Sequence, residues 1–160
     1  MKTKILLFFI LIGSFCFLII SCELKSGYEF SYSFGENGWP AKKIVIFYTD
    51  TLKESGNYHL KLTVRYDQKY PFYNLFLKGN ISGQTDSFSL QKPLELILFD
   101  PVTGKSLSET NKSIGEKSIL LFPELSLEKG EIYQIKMEQM MRQDSLSGIL
   151  SINTSLHLID

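Results

Sequence analysis

Residues 58–66, Tyr58-His59-Leu60-Lys61-Leu62-Thr63-Val64-Arg65-Tyr66, alternate without a break. Tyr58, Leu60, Leu62, Val64 and Tyr66 fall on one side of an extended chain; His59, Lys61, Thr63 and Arg65 fall on the other. Successive strand side chains point to opposite faces. The stretch therefore predicts an antiparallel strand with one face in a core and one in water.

The same period recurs outward in both directions. Upstream, Tyr28, Phe30, Tyr32 and Phe34 alternate with Glu29, Ser31 and Ser33, then Gly35-Glu36-Asn37-Gly38 turns the chain and Ile44 to Tyr48 reads as a short strand. Downstream, Tyr73 to Leu77 is an apolar run expected to be buried on both faces, and Gly79 to Asp86 is polar and turn-rich. Ser87 to Leu90, Leu94 to Phe99 and Ser118 to Phe122 are further expected strands, with Pro123 to Gly130 as a loop. Ile132 to Met141 mixes good helix formers with alternation; Gly130 before it and strands on both sides favour β. Leu150, Ile152, Thr154, Leu156 and Leu158 close the chain on one strand face. Eight or nine short strands without a long helix predict a single antiparallel β-sandwich, Ig-like or jelly-roll-like.

The first 22 residues set the compartment. Lys2 and Lys4 precede an apolar run, and Ile19-Ile20-Ser21-Cys22 closes it in the order of a secretory signal ending in a lipobox. The run from Ile5 to Ile20 counts 16 residues. That is short of the roughly 20 that span a bilayer, which favours cleavage over a retained anchor. Cys22 would carry diacylglycerol on sulfur and, on its freed amine, a further acyl chain such as palmitate. At about 0.8 kcal/mol per buried CH₂, two or three chains hold a soluble body on a membrane. Residues 1–21 are thus expected to be a signal peptide, 22–27 a lipidated tether and 28–160 the sandwich. Glu23 rather than Asp follows Cys22, which points to the outer membrane.

Composition narrows the chemistry. The chain balances 17 Lys and Arg against 17 Asp and Glu, and loss of Lys2 and Lys4 leaves a net charge of −2. A nucleic-acid partner would call for a basic face, so none is expected. Cys16 leaves with the signal and Cys22 is consumed by lipid, so no thiol remains for a disulfide or metal site. The core must hold the fold; four of the twelve Phe lie in the signal, and the remaining eight with eight Tyr and one Trp can supply it.

No residue is nominated for catalysis, metal or cofactor binding. His59 and His157 both sit on the polar side of an alternating strand. There is no Gly-x-Ser-x-Gly elbow, His-Glu-x-x-His or glycine-rich phosphate loop. Asp100-Pro101-Val102-Thr103-Gly104 offers one carboxylate where a calcium loop needs several oxygen ligands, and reads as a β-turn. Trp39 has two readings: an aromatic platform for glycan or protein, or a large side chain packed over one end of the core. Together with Arg65, Tyr70, Asn74 and Arg142 it makes the candidate binding surface.

Order and spacing carry a resemblance. Trp39 after an aromatic strand, Tyr58…Val64-Arg65, Tyr70-Pro71-Phe72…Asn74-Leu75 and Met141-Arg142…Leu146-Ser147-Gly148-Ile149 resemble the GldH-type gliding-motility lipoproteins of Bacteroidota. At Ser106-Leu107-Ser108 the chain departs from the Trp and Gly usual in that family. The resemblance implies a non-catalytic envelope lipoprotein needed for gliding and coupled to type IX secretion. Its partners would be proteins of the gliding or secretion apparatus, besides the membrane holding Cys22. It also gives meaning to Asp50-Thr51-Leu52 and Asp144-Ser145-Leu146, which fit the Asp-Ser/Thr-apolar pattern of O-glycosylation at Thr51 and Ser145. The alternative expectation is a glycan- or peptidoglycan-binding envelope lipoprotein.

Overall fold

A computed structural model describes residues 27–85, 88–108 and 113–159. The alternating stretch becomes β4 (Gly56–Tyr66), whose Tyr58, Leu60, Leu62, Val64 and Tyr66 are at most 1% exposed. On one side it pairs with β10 (Ile149–Leu158), setting Leu62 opposite Thr154. On the other it pairs with β7 (Gly115–Leu127). With β1 (Gly27–Ser33) beyond β10, the first sheet has the order β1-β10-β4-β7. β3 (Val45–Tyr48), β8 (Tyr133–Gln139), β5 (Asn74–Gly83) and β6 (Ser89–Ile97) form the second, in that order.

Every pairing is antiparallel, and among these eight strands only β5 and β6 are joined within one sheet. The other connections pass from sheet to sheet, which is the strand order of a jelly roll. The described residues are all β, and the topology selects the jelly-roll alternative over the Ig-like one. Two further strands of two residues each, β2 (Trp39–Pro40) and β9 (Ser145–Leu146), pair between the β1–β3 and β8–β10 connections.

Several expected boundaries move. β1 starts at Gly27, opposite His157, one residue inside the expected tether. The stretch from Gly79 to Gly83 is strand, not turn. Its polar Lys78, Asn80 and Ser82 are the wet positions of an alternation whose inward members include Leu77 and Ile81. A Cβ on Gly79 would press on the Leu121 side chain, which crosses from the opposite sheet and would have to shift. By the same alternation Tyr73 to Leu77 is not buried on both faces: Leu75 and Leu77 are inside while Tyr73 and Phe76 are 48% and 43% exposed. The two strands expected around residue 93 merge into β6 across Pro93, which an edge strand tolerates. Likewise β7 runs through Pro123 to Leu127, with register shifts absorbing the break. Residues 133–139 form a strand, as the alternation favoured.

The core lies between the two sheets. β4 contributes its inward stripe, β8 contributes Tyr133, Ile135 and Met137, and β5 contributes Leu75, Leu77 and Ile81. Burying a Leu side chain stabilises by roughly 1.5–3 kcal/mol, and removing one also leaves a cavity. Leu62→Ala is therefore expected to destabilise by about 3 kcal/mol. Lys61→Ala, on the wet face, should stay within about 0.5 kcal/mol. Urea denaturation of a soluble Cys22→Ser form starting at residue 22 measures both.

Candidate functional site

Strand directions define two ends of the sandwich. Gly27 lies opposite His157, and Ile159 N–H donates to Asn57 O at 2.7 Å, so both described termini share an end with connections 49–55, 84–88 and 128–132. The far end carries the β1–β3, β4–β5, β6–β7 and β8–β10 connections.

The far end is clamped by the β2–β9 pair. Ala41 N–H donates to Asp144 O at 2.8 Å, and the Ser145 hydroxyl bonds Asn37 O. Gly38 and Gly148 adopt φ of +71° and +78°, and a Cβ on either would collide with backbone, that of Leu146 or of Tyr70. Asp67 N–H donates to Gly148 O at 2.9 Å, tying the β4–β5 connection to the β9–β10 corner.

Trp39 is fully buried inside this clamp. It stacks on Phe34 at 4.9 Å, and its Nε1–H donates to Lys43 O at 2.8 Å. Of its two readings, the geometry fits the one that packs it over the core end. Tyr70 is also buried; its hydroxyl donates to Asn74 O at 2.8 Å, and burial pushes its phenol well above the usual range. Asn74 is also buried and donates through Nδ2 to Glu95 Oε1 at 2.6 Å. Arg65 reaches Glu116 at 3.0 Å on the outer face of the first sheet, a part-exposed pair of the kind worth about 0–1 kcal/mol. Arg142 is exposed in the connection after β8.

Four of the five candidate residues lie at the far end, but Trp39, Tyr70 and Asn74 are buried there, so of the expected binding surface Arg142 and, on the adjoining sheet face, part-exposed Arg65 are the members that meet solvent. Thr51 is exposed at the opposite end, followed by buried Leu52. Ser145 is exposed as a residue, with its hydroxyl engaged by Asn37. Cys22 and residues 1–21 lie outside the described residues. Asp100 spends its Oδ1 on its own turn, accepting from Thr103 N–H at 2.6 Å, Thr103 Oγ1 at 2.9 Å and Val102 N–H at 3.0 Å. These bonds hold its carboxyl below the usual range. Among the described residues, no three His, Cys, Asp or Glu side chains group to hold a metal ion.

One arrangement has no signature in the sequence. His59 stands opposite His157 across the β4–β10 pair, with ring centroids 5.4 Å apart. Alternation places each on a wet face, but only the register places them together. Burial first, then the His157 and Lys61 charges, hold the His59 imidazole below its ordinary range. Beside the pair, Glu29, Ser31, Lys61, Thr63, Asn153 and Ser155 line a shallow polar groove of about 510 Å³.

A family model described as GldH lipoprotein matches residues 26–155. No curated protein matches the chain at a significant level. Among solved structures, a protein of Sulfurospirillum deleyianum superposes with a TM-score of 0.40 at 11% identity, over 83% of this chain and 98% of that one. The VP2 subviral particle of infectious bursal disease virus gives a TM-score of 0.20 at 8% identity, over 84% of this chain and 40% of that one.

Two outcomes follow from this geometry. Gly148→Ala combines a left-handed φ with a backbone collision and is expected to cost about 3 kcal/mol, read from the urea midpoint. For His59, the unfolded state binds its proton at a higher pH than the folded state does. Stability must therefore fall as pH drops through about 6.5, and His59→Gln should flatten that part of a Tm-against-pH curve. An unchanged slope in the variant would remove the His59 account.

Proposed function

The chain belongs to the GldH lipoprotein family, and on that premise we propose that it is a non-catalytic envelope component supporting gliding motility and the associated type IX secretion through protein contacts. The observation that carries this reading is the family match over residues 26–155 behind a lipobox at 19–22. Mooring through Cys22 supports an orientation. From Cys22 to Gly27 the chain reaches at most about 17 Å. The terminal end of the sandwich therefore stays near the bilayer. The eleven residues of β4, at about 3.3 Å each, carry the far end some 36 Å further out. Arg142 and the far-end connections then face away from the lipid, where envelope proteins are reached. Glu23 after Cys22 supports the outer membrane, and exposed Thr51 is the better placed of the two residues for an attached glycan.

The glycan-binding alternative is favoured by one observation, the polar groove lined by Asn153, Ser155 and Thr63. Saturable binding of peptidoglycan fragments lost on Asn153→Ala would support it over the first reading.

Cys22→Ser tests the main reading. The variant is expected to leave the membrane fraction and to abolish colony spreading in a gliding host. Normal spreading by a membrane-free variant would overturn it.

A further inference from the structure

The four edges of the sandwich are unequally protected. On one side, β6 carries Pro93 opposite Lys78. Leu98 N–H donates to Tyr73 O, which sets the parity of β6 and turns the nitrogen of Pro93 to the free side. β7 carries Pro123 between shifted registers, and Lys92 Nζ donates to Leu121 O at 3.3 Å across that side. Prolines and bulges blunt an edge against pairing with another chain. The opposite side is bordered by β1 and β3, which have neither proline nor register shift.

β3 is the edge suited to pairing. Thr49 N–H donates to Tyr133 O at 2.9 Å, so residues 45, 47 and 49 direct their backbone groups to β8. The N–H and C=O of Ile46 and Tyr48 therefore point away from the sheet. Their side chains stand on its outer face with that of Ile44, at 43%, 59% and 43% exposure for Ile46, Tyr48 and Ile44. On β1 the corresponding outward residues are Glu29, Ser31 and Ser33. Cations outnumber anions around β3: exposed Lys42 and Lys43 precede it, Lys43 with its Nζ 4.9 Å from the Tyr32 ring centroid, Lys136 lies opposite Ile46, and exposed Asp50 follows the strand. Glu138 is already taken by Lys78 at 2.8 Å.

We propose that β3 accepts an added antiparallel strand from another envelope protein. That strand would set apolar or aromatic side chains beside Ile44, Ile46 and Tyr48 and carry carboxylates toward Lys42, Lys43 and Lys136. Main-chain bonds would supply affinity, and the alternate side chains would supply specificity. A second copy of this chain fits less well. A two-fold antiparallel β3–β3 pair sends the two Gly27 ends in opposite directions, whereas two chains moored by Cys22 on one membrane need them on the same side. The inference rests on the protein-contact reading above and names its surface.

The test uses the full lipidated chain in native membranes, with the photo-crosslinker p-benzoylphenylalanine replacing Tyr48, or in parallel Leu120 or Val102. Leu120 is exposed on the other sheet and Val102 on a far-end connection. The expected result is an adduct from position 48 whose partner peptide is an extended, alternately apolar, acidic segment of another protein. Ile46→Pro removes an outward N–H and an exposed side chain but no bond to β8, and should reduce that adduct roughly tenfold, with the fold intact by circular dichroism. If Ile46→Pro does not fold, Ile46→Lys is expected to give the same loss by setting another cation beside Lys136. No adduct at 48, an adduct to a second copy, or one unaffected by both variants overturns the inference. Adducts from Val102 alone overturn it while leaving the protein-contact reading in place; none from any position removes both.

Discussion

Burial of one face of β4 is the constraint on which the rest depends. Tyr58, Leu60, Leu62, Val64 and Tyr66 are flanked by β10 and β7 and faced by the second sheet, so a one-residue slip would move all five into water. That penalty fixes the register of both neighbours. Fixing it also sets His59 against His157 and Arg65 against Glu116. Because nearly every connection crosses between sheets, the two layers cannot separate without breaking the same apolar seam.

The seam is also wired to the loops by polar tips of buried aromatics. Tyr66 donates to Leu98 O at 2.8 Å, Tyr58 to Glu54 O at 2.9 Å, Tyr70 to Asn74 O at 2.8 Å and Trp39 to Lys43 O at 2.8 Å. Each bond satisfies a backbone carbonyl where the chain enters or leaves a strand, and each ring adds area to the core. The described residues include no cysteine to crosslink, and these contacts hold the connections at both ends. The far-end clamp is the tightest case: Gly38 lies against the β9 backbone at Leu146, and Gly148 against the backbone at Tyr70, each too close for a side chain.

The two sides of the sandwich differ as much as its two ends. Proline and bulged pairing occupy β6 and β7, while β1 and β3 keep regular backbones. The two outer faces differ as well. The first sheet shows Ser, Thr, Asn and paired charges, with Leu120 its exposed large apolar residue. The second shows Ile46, Tyr48 and Phe76. A body with a guarded side and an open one has few ways to present itself to a neighbour.

Alternation by itself determined the all-β class and the inward residues of β1, β4, β8 and, past its bulge, β10, while the lipobox order Ile19-Ile20-Ser21-Cys22 carries the expected compartment. Those are local properties, because strand period and lipobox both lie within a few adjacent residues. Pro93 and Pro123 misled the boundaries, since a proline breaks a central strand but only decorates an edge, and edge position is not written locally. Trp39 was legible as one of two things, and only packing against Phe34 and the clamp placed it in the core. The jelly-roll order, the His59–His157 pair and the open edge at β3 came from tertiary structure alone. Each depends on which distant strands share hydrogen bonds, and that choice is made by burying the whole apolar seam at once.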